Sequence, residues 1–186
     1  MDLAYGSQND LYDMEVVKRL VLRGKERFWS GVHNGSPCST WSRMRSQPGG
    51  PPPLRSRTYP WGLPKNSDAQ QKHTDIHSRL WANSMFRLTT AVMNGSCGTY
   101  EHPEEPCRHL FPSTGSVGRM RMIEKKCGFR RFVFPQWLWG LLGKKPSCIT
   151  GNVYNLKTWR FEYVDYFGAI TSIPRKNTQI CTLDLG

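Results

Sequence analysis

The chain has 186 residues, 38% of them apolar, and carries 26 Lys and Arg against 14 Asp and Glu, a net charge of +12. That length supports one domain with a core of its own and excludes two comfortable ones. No apolar run approaches the roughly 20 residues that cross a bilayer as a helix, and the basic excess favours a polyanionic partner, most simply nucleic acid.

The first residues, Met1 to Gly6, show no basic segment followed by an apolar one, so no secretory signal is expected and the chain reads as intracellular, nuclear in a eukaryote. On that reading the six cysteines, Cys38, Cys97, Cys107, Cys127, Cys148 and Cys181, are free thiols rather than disulfides.

Residues 10–23 read as a helix capped by Asp13, with Val16, Val17, Leu20 and Val21 as its apolar stripe and Gly24 closing it. Residues 28–33 read as a buried strand. It runs into a small-residue loop, Gly35-Ser36-Pro37-Cys38-Ser39-Thr40-Trp41-Ser42, that presents a thiol at the edge of a sheet. Residues 34–66 are rich in Gly and Pro and predict one long loop. Arg43, Arg45, Arg55, Arg57 and Lys65 lie in it beside Trp41, Tyr59 and Trp61. Such interleaving suits phosphates and unstacked bases, and equally a solvated linker.

Residues 68–93 form the clearest helix, capped by Asp68, striped by Ile76, Leu80, Leu88 and Val92, and ended by Asn94-Gly95. A short strand near 97–101 follows, ending at Glu101-His102-Pro103. A weaker helix at 116–127, a strand at 129–134 and another at 147–151 complete the pattern, which decays after about residue 158. Phe132, Phe134, Trp137 and Trp139 are core by their alternation, or a stacking surface. The alternation of strands and helices predicts a mostly parallel α/β sheet with its chemistry at the carboxyl ends of strands. Cys38 and Glu101 both fall there.

A thiolate beside a carboxyl group fits addition to a pyrimidine ring: the sulfur attacks carbon 6 while the carboxyl group holds and protonates nitrogen 3. A base in a duplex must be flipped out for this. Pro37-Cys38 followed by Ser39-Thr40-Trp41-Ser42 resembles the catalytic Pro-Cys motif of cytosine-5 DNA methyltransferases, and Glu101-His102-Pro103 resembles their Glu-Asn-Val or Glu-Asn-Pro motif. Divergent methylase-like proteins of protist, viral or mobile-element type are closer still. The matching segments are Gly50-Pro51-Pro52-Pro53-Leu54-Arg55, Pro60-Trp61-Gly62-Leu63, and downstream Gln136, Gly140, Lys144-Lys145-Pro146-Ser147 and Asn152.

The resemblance covers about residues 10–158, leaves 159–186 unassigned, and implies Cys38 as nucleophile and Glu101 as the carboxylate on the ring nitrogen. It further implies Arg43 and Arg45 in the loop over the target nucleotide, Gln136 and Lys145 as substrate contacts, DNA as partner and S-adenosylmethionine as cofactor. His102 stands where the family has Asn. No Gly-x-Gly turn precedes Pro37. The fold implied is therefore a partial, Rossmann-like methyltransferase sheet without its N-terminal cofactor-binding strands.

A second constellation competes. Cys97, His102 and Cys107 have the spacing of three of the four ligands of a zinc knuckle, with Asn94 where the first ligand belongs and His109 as an ill-spaced substitute. The corresponding function is a non-catalytic, basic nucleic-acid-binding module of a mobile element.

Overall fold

The computed structural model describes residues 10–103, 111–135, 146–152, 163–164 and 170–171. Helix α1 spans Met14–Lys25, and the Asp13 carboxylate accepts from the Glu15 N–H at 2.9 Å, as its capping role requires. Val16, Val17, Leu20 and Val21 are buried. Gly24 does not close the helix. It lies buried in the last turn, where an added Cβ would stand 3.4 Å from the Ala91 backbone, so it is a contact glycine that lets two helices approach.

Strand β1, Gly31–Asn34, is shorter than expected and buried only at Asn34. Phe28 is outside it and 64% exposed, because the turn that ends α1 consumes residues 26–28 through the Phe28 N–H to Arg23 carbonyl bond.

Helix α2 spans Asp68–Met93. Its cap is Ser67 rather than Asp68: Ser67 and Gln70 form a reciprocal capping box, and Asp68 sits in the first turn, where its charge suits the helix dipole. Asn94 caps the other end and Gly95 takes φ +99°. Trp81, Met85, Leu88 and Val92 are buried, with Leu88 and Val92 reaching Gly98 in the next strand. Any side chain at Gly98 would collide with them.

Strand β2 (Cys97–Pro103), helix α3 (Gly118–Cys127), strand β3 (Arg130–Pro135) and strand β4 (Pro146–Gly151) follow. The sheet order is β1-β2-β4-β3. β1 and β2 are parallel, whereas β2–β4 and β3–β4 are antiparallel. The expectation of a mostly parallel sheet is therefore corrected to a mixed α/β sheet with one parallel pair. The stretch 136–145 is too short for a helical crossover, so β4 must turn back on β3. By these pairings β1, β2 and β3 run one way, and the last strand is slotted between the second and third, against them.

Trp41, Trp81, Met85, Leu88, Val92, Tyr100, Val117, Met120 and Cys127 form the core between α2, α3 and one face of the sheet. Beyond residue 158 the described residues are a two-stranded pair, β5 (Tyr163–Val164) against β6 (Ile170–Thr171). No helix among the described residues is long and apolar enough to cross a membrane.

Candidate active site

The register of the parallel pair sets Asn34 level with Tyr100, so the Cys38 loop leaves β1 where β2 reaches Glu101. Buried anchors hold both ends of that loop. Asn34 donates to the Ser84 hydroxyl (3.1 Å) and faces the Met85 sulfur (3.3 Å), while Trp41 is 2% exposed in the core. Between them the Trp41 N–H donates to the Cys38 carbonyl at 2.9 Å, closing a turn that leaves the Cys38 thiol half-buried.

Tyr100 ties the loop to β2. Trp81 Nε1 donates to its hydroxyl at 2.9 Å. Burial pushes the phenol up to about 12, offset in part by hydroxyl contacts with Thr114, Trp81 and Ser36, with the nearby Cys38 thiol adding to the rise. Tyr100 thus stands beside both halves of the expected pair, next to Cys38 in space and to Glu101 in the chain. Nothing in the sequence reading singled it out, although it immediately precedes Glu101.

Glu101 is inside β2, not after it. The strand continues to Pro103 because β4 pairs with it beyond the end of β1, with Glu101 opposite Ile149. Alternation along the strand places Tyr100 on the α2 face and Glu101, half-buried, on the other.

His102 returns to the α2 face. It is 3% exposed, with its ring stacked on Tyr100 at 4.9 Å between centroids. Its Nδ1 lies 2.7 Å from the Pro103 carbonyl; a carbonyl only accepts, so Nδ1 carries the proton and Nε2 is a bare acceptor without a partner among the described residues. Burial, then the Arg131 charge, pushes the imidazole down to about 4, against a smaller opposite effect of the Pro103 carbonyl.

This geometry removes the zinc reading. Cys97 is exposed at the start of β2 and His102 buried near its end, about 16 Å further along at strand rise and on the opposite face. A zinc ion reaches about 2 Å to each ligand. Cys107 lies outside the described residues, among which no three His, Cys, Asp or Glu side chains are grouped to hold a metal.

The Pro-rich loop is packed rather than free. Leu54 and Arg55 are buried, and Arg55 is 1% exposed. Its guanidinium lies 4.1 Å from the Trp41 ring centroid and donates to the Pro60 carbonyl (2.6 Å), the Ser78 hydroxyl (3.1 Å) and the Thr74 carbonyl (2.8 Å). Trp61 closes a tryptophan triad, 6.2 Å from Trp41 and 6.0 Å from Trp81, and is still 48% exposed, as is Tyr59. Arg55 and Trp41 therefore hold the loop on α2, which leaves Tyr59 and Trp61 as the aromatic surface.

Arg45 braces the site. Its Nε donates to the Ser39 carbonyl (2.9 Å) and its Nη1 to the Pro52 carbonyl (3.0 Å), pinning the Cys38 loop to the Pro-rich segment. Arg43 opens the short 3-10 turn Arg43–Ser46. Gln136 and Lys145 lie outside the described residues. Asn152 splints β4 to β2, its Oδ1 accepting from the Gly98 N–H at 2.7 Å.

Comparisons with protein-family models, with curated proteins and with solved structures returned no match.

Proposed function

We propose that the chain is the cytosine-directed half of a DNA cytosine-5 methyltransferase-like protein, with Cys38 as nucleophile and Glu101 as the carboxyl group at ring nitrogen 3. The observation that carries this reading is the parallel pairing of β1 with β2 in the Asn34–Tyr100 register. It brings the two motifs, 63 positions apart in sequence, to one end of the sheet. The net charge of +12 and the exposed rings of Tyr59 and Trp61 suit a DNA strand with one base displaced.

The residues present do not fit the methyl donor. Among the described residues no strand precedes β1, and residues 10–35 hold no Gly-x-Gly turn. No residue is therefore assigned to S-adenosylmethionine, and no transfer step is drawn from this chain.

Thiol addition needs no donor. The Cys38 thiolate bonds to carbon 6 of a flipped cytosine. The electron pair of the 5,6 double bond moves into the 4,5 bond, and that of the C4–N3 double bond moves to nitrogen 3, which takes a proton from Glu101. Carbon 5 of this enamine can accept a proton from water. Loss of the original carbon-5 hydrogen as a proton and expulsion of the thiolate then restore cytosine. The net event is exchange of that hydrogen with solvent.

A duplex tritiated at cytosine carbon 5 tests the reading without any methyl donor. Release of tritium into water is expected from the native chain and none from Cys38→Ala, with Glu101→Gln slower by about 100-fold or more. Native protein that binds the duplex and releases no tritium would sink the catalytic reading and leave the non-catalytic nucleic-acid-binding module.

A further inference from the structure

We infer that Arg45, His73 and His77 form a phosphate-binding site on the flank of α2, in which the bound anion draws a proton onto His77. The site goes beyond the thiol chemistry and does not depend on it.

His73 and His77 are one helical turn apart, with ring centroids 4.4 Å from each other. His77 Nδ1 is buried with no partner among the described residues. Arg55 bonds to Thr74 and Ser78, the helix positions next to these two histidines, and Arg45 holds the Pro52 carbonyl three residues upstream of Arg55. Two arginines, Arg45 and Arg55, therefore lie on the flank that carries the histidine pair.

Two of the Arg45 nitrogens are occupied by carbonyls, which fixes the guanidinium plane; Nη2 has no protein partner among the described residues. A fixed guanidinium with a free edge is suited to a tetrahedral oxyanion.

Paired histidines at this spacing also suit a metal ion, but the surrounding charge does not. Burial lowers the basicity of His77 to about 4, and His73, Arg55 and Arg45 all push it the same way. No carboxylate counts among those influences. Asp75, on the same helix, accepts from Gln71 at 2.8 Å and bears on Arg55. The influences on His77 itself all disfavour positive charge there, which speaks against a divalent cation beside it and for an anion. Supplying that anion reverses the sign of the field at His77 and favours its protonation.

The ring protons of His73 and His77, followed by NMR across pH, provide the test. Inorganic phosphate, and sulfate as a tetrahedral anion that does not titrate in this range, should each raise the His77 midpoint by about one unit or more. That corresponds to about tenfold tighter anion binding to the protonated site. His77→Gln should remove the His77-linked part of the pH dependence of sulfate binding. His73→Gln, at an exposed position with no structural bond, should keep the fold and weaken the anion. The same shift with a cytosine-free DNA duplex would identify the ligand as backbone phosphate, and a shift with the free anions alone would identify a small phosphate compound. A His77 midpoint unmoved by phosphate and sulfate, or moved as far in folded Arg45→Gln, would overturn the site.

Discussion

Arg55 shows how one residue type can mislead a reading of the sequence. Set in a Pro- and Gly-rich stretch, it reads as a mobile phosphate contact. In the fold it is a desolvated cation, its pKa lowered to about 10 mainly by burial, over Trp41 and bonded to three oxygens. Lysine would keep the charge but lose the planar fork, leaving the Pro60 and Thr74 carbonyls without their donors. Arg55→Lys should therefore destabilise the chain by on the order of 3 kcal/mol, read as a lower urea midpoint. The emission of the Trp41–Trp61–Trp81 cluster should shift with it. An unchanged midpoint would mean that the loop holds without Arg55.

His102 makes a prediction with a definite sign. Its basicity falls from about 6.5 in the unfolded chain to about 4 in the fold. Between those values the unfolded state binds more protons than the native one, so stability rises with pH across the window. The contribution is complete above about pH 6.5 and is lost as pH falls toward 4, for a total of about 3 kcal/mol. His77 acts in the same direction over the same range, discounted for its exposure. The urea midpoint should fall further on going from pH 7 to pH 4 in the native chain than in His102→Asn; equal falls would mean that His102 does not carry this acid loss.

Secondary elements were more legible than their partnerships. Periodicity marked α2 to its observed ends and located α3, β3 and β4 closely, since each carries its own local signal. Strand direction has no such signal. It was decided by the connection 136–145 and by β4 entering between β2 and β3, which no window of residues reveals. The same limit applied at Gly24 and Gly98. Glycine in sequence suggests a stop or a bend, yet here both mark close packing against α2. Gly98 carries a sharp test, because a Cβ there would come within 2.9 Å of Leu88 Cδ1 and closer still to Val92. Gly98→Ala should cost about 1–3 kcal/mol by overpacking, and Gly98→Ala with Val92→Ala should recover part of it. A neutral Gly98→Ala would place slack between α2 and β2 that the packing does not show.

Across the whole molecule, the candidate site was legible as two motifs, but its architecture was not. The Cys38 and Glu101 segments announced themselves by residue type. Tyr100, which joins them, and His102, buried behind it, took their meaning only from the register of β1 on β2. That register also leaves β1 as the outer strand of the sheet. The Cys97 N–H donates to the Ser30 carbonyl at 2.9 Å, so the alternation of a parallel ladder turns Val32 and Asn34 toward β2 and Gly31 and His33 outward. Arg87 partly covers the edge by donating to the His33 carbonyl at 3.2 Å, but among the described residues no strand receives the outward N–H groups of Gly31 and His33. An uncovered edge of this kind is readily extended by a further strand. Native-state hydrogen exchange should accordingly find the Val32 and Asn34 amides protected with β2 and the Gly31 and His33 amides exchanging freely. Equal protection at all four would mean that a further strand, from this chain or another copy, already completes the sheet beside the Cys38 loop.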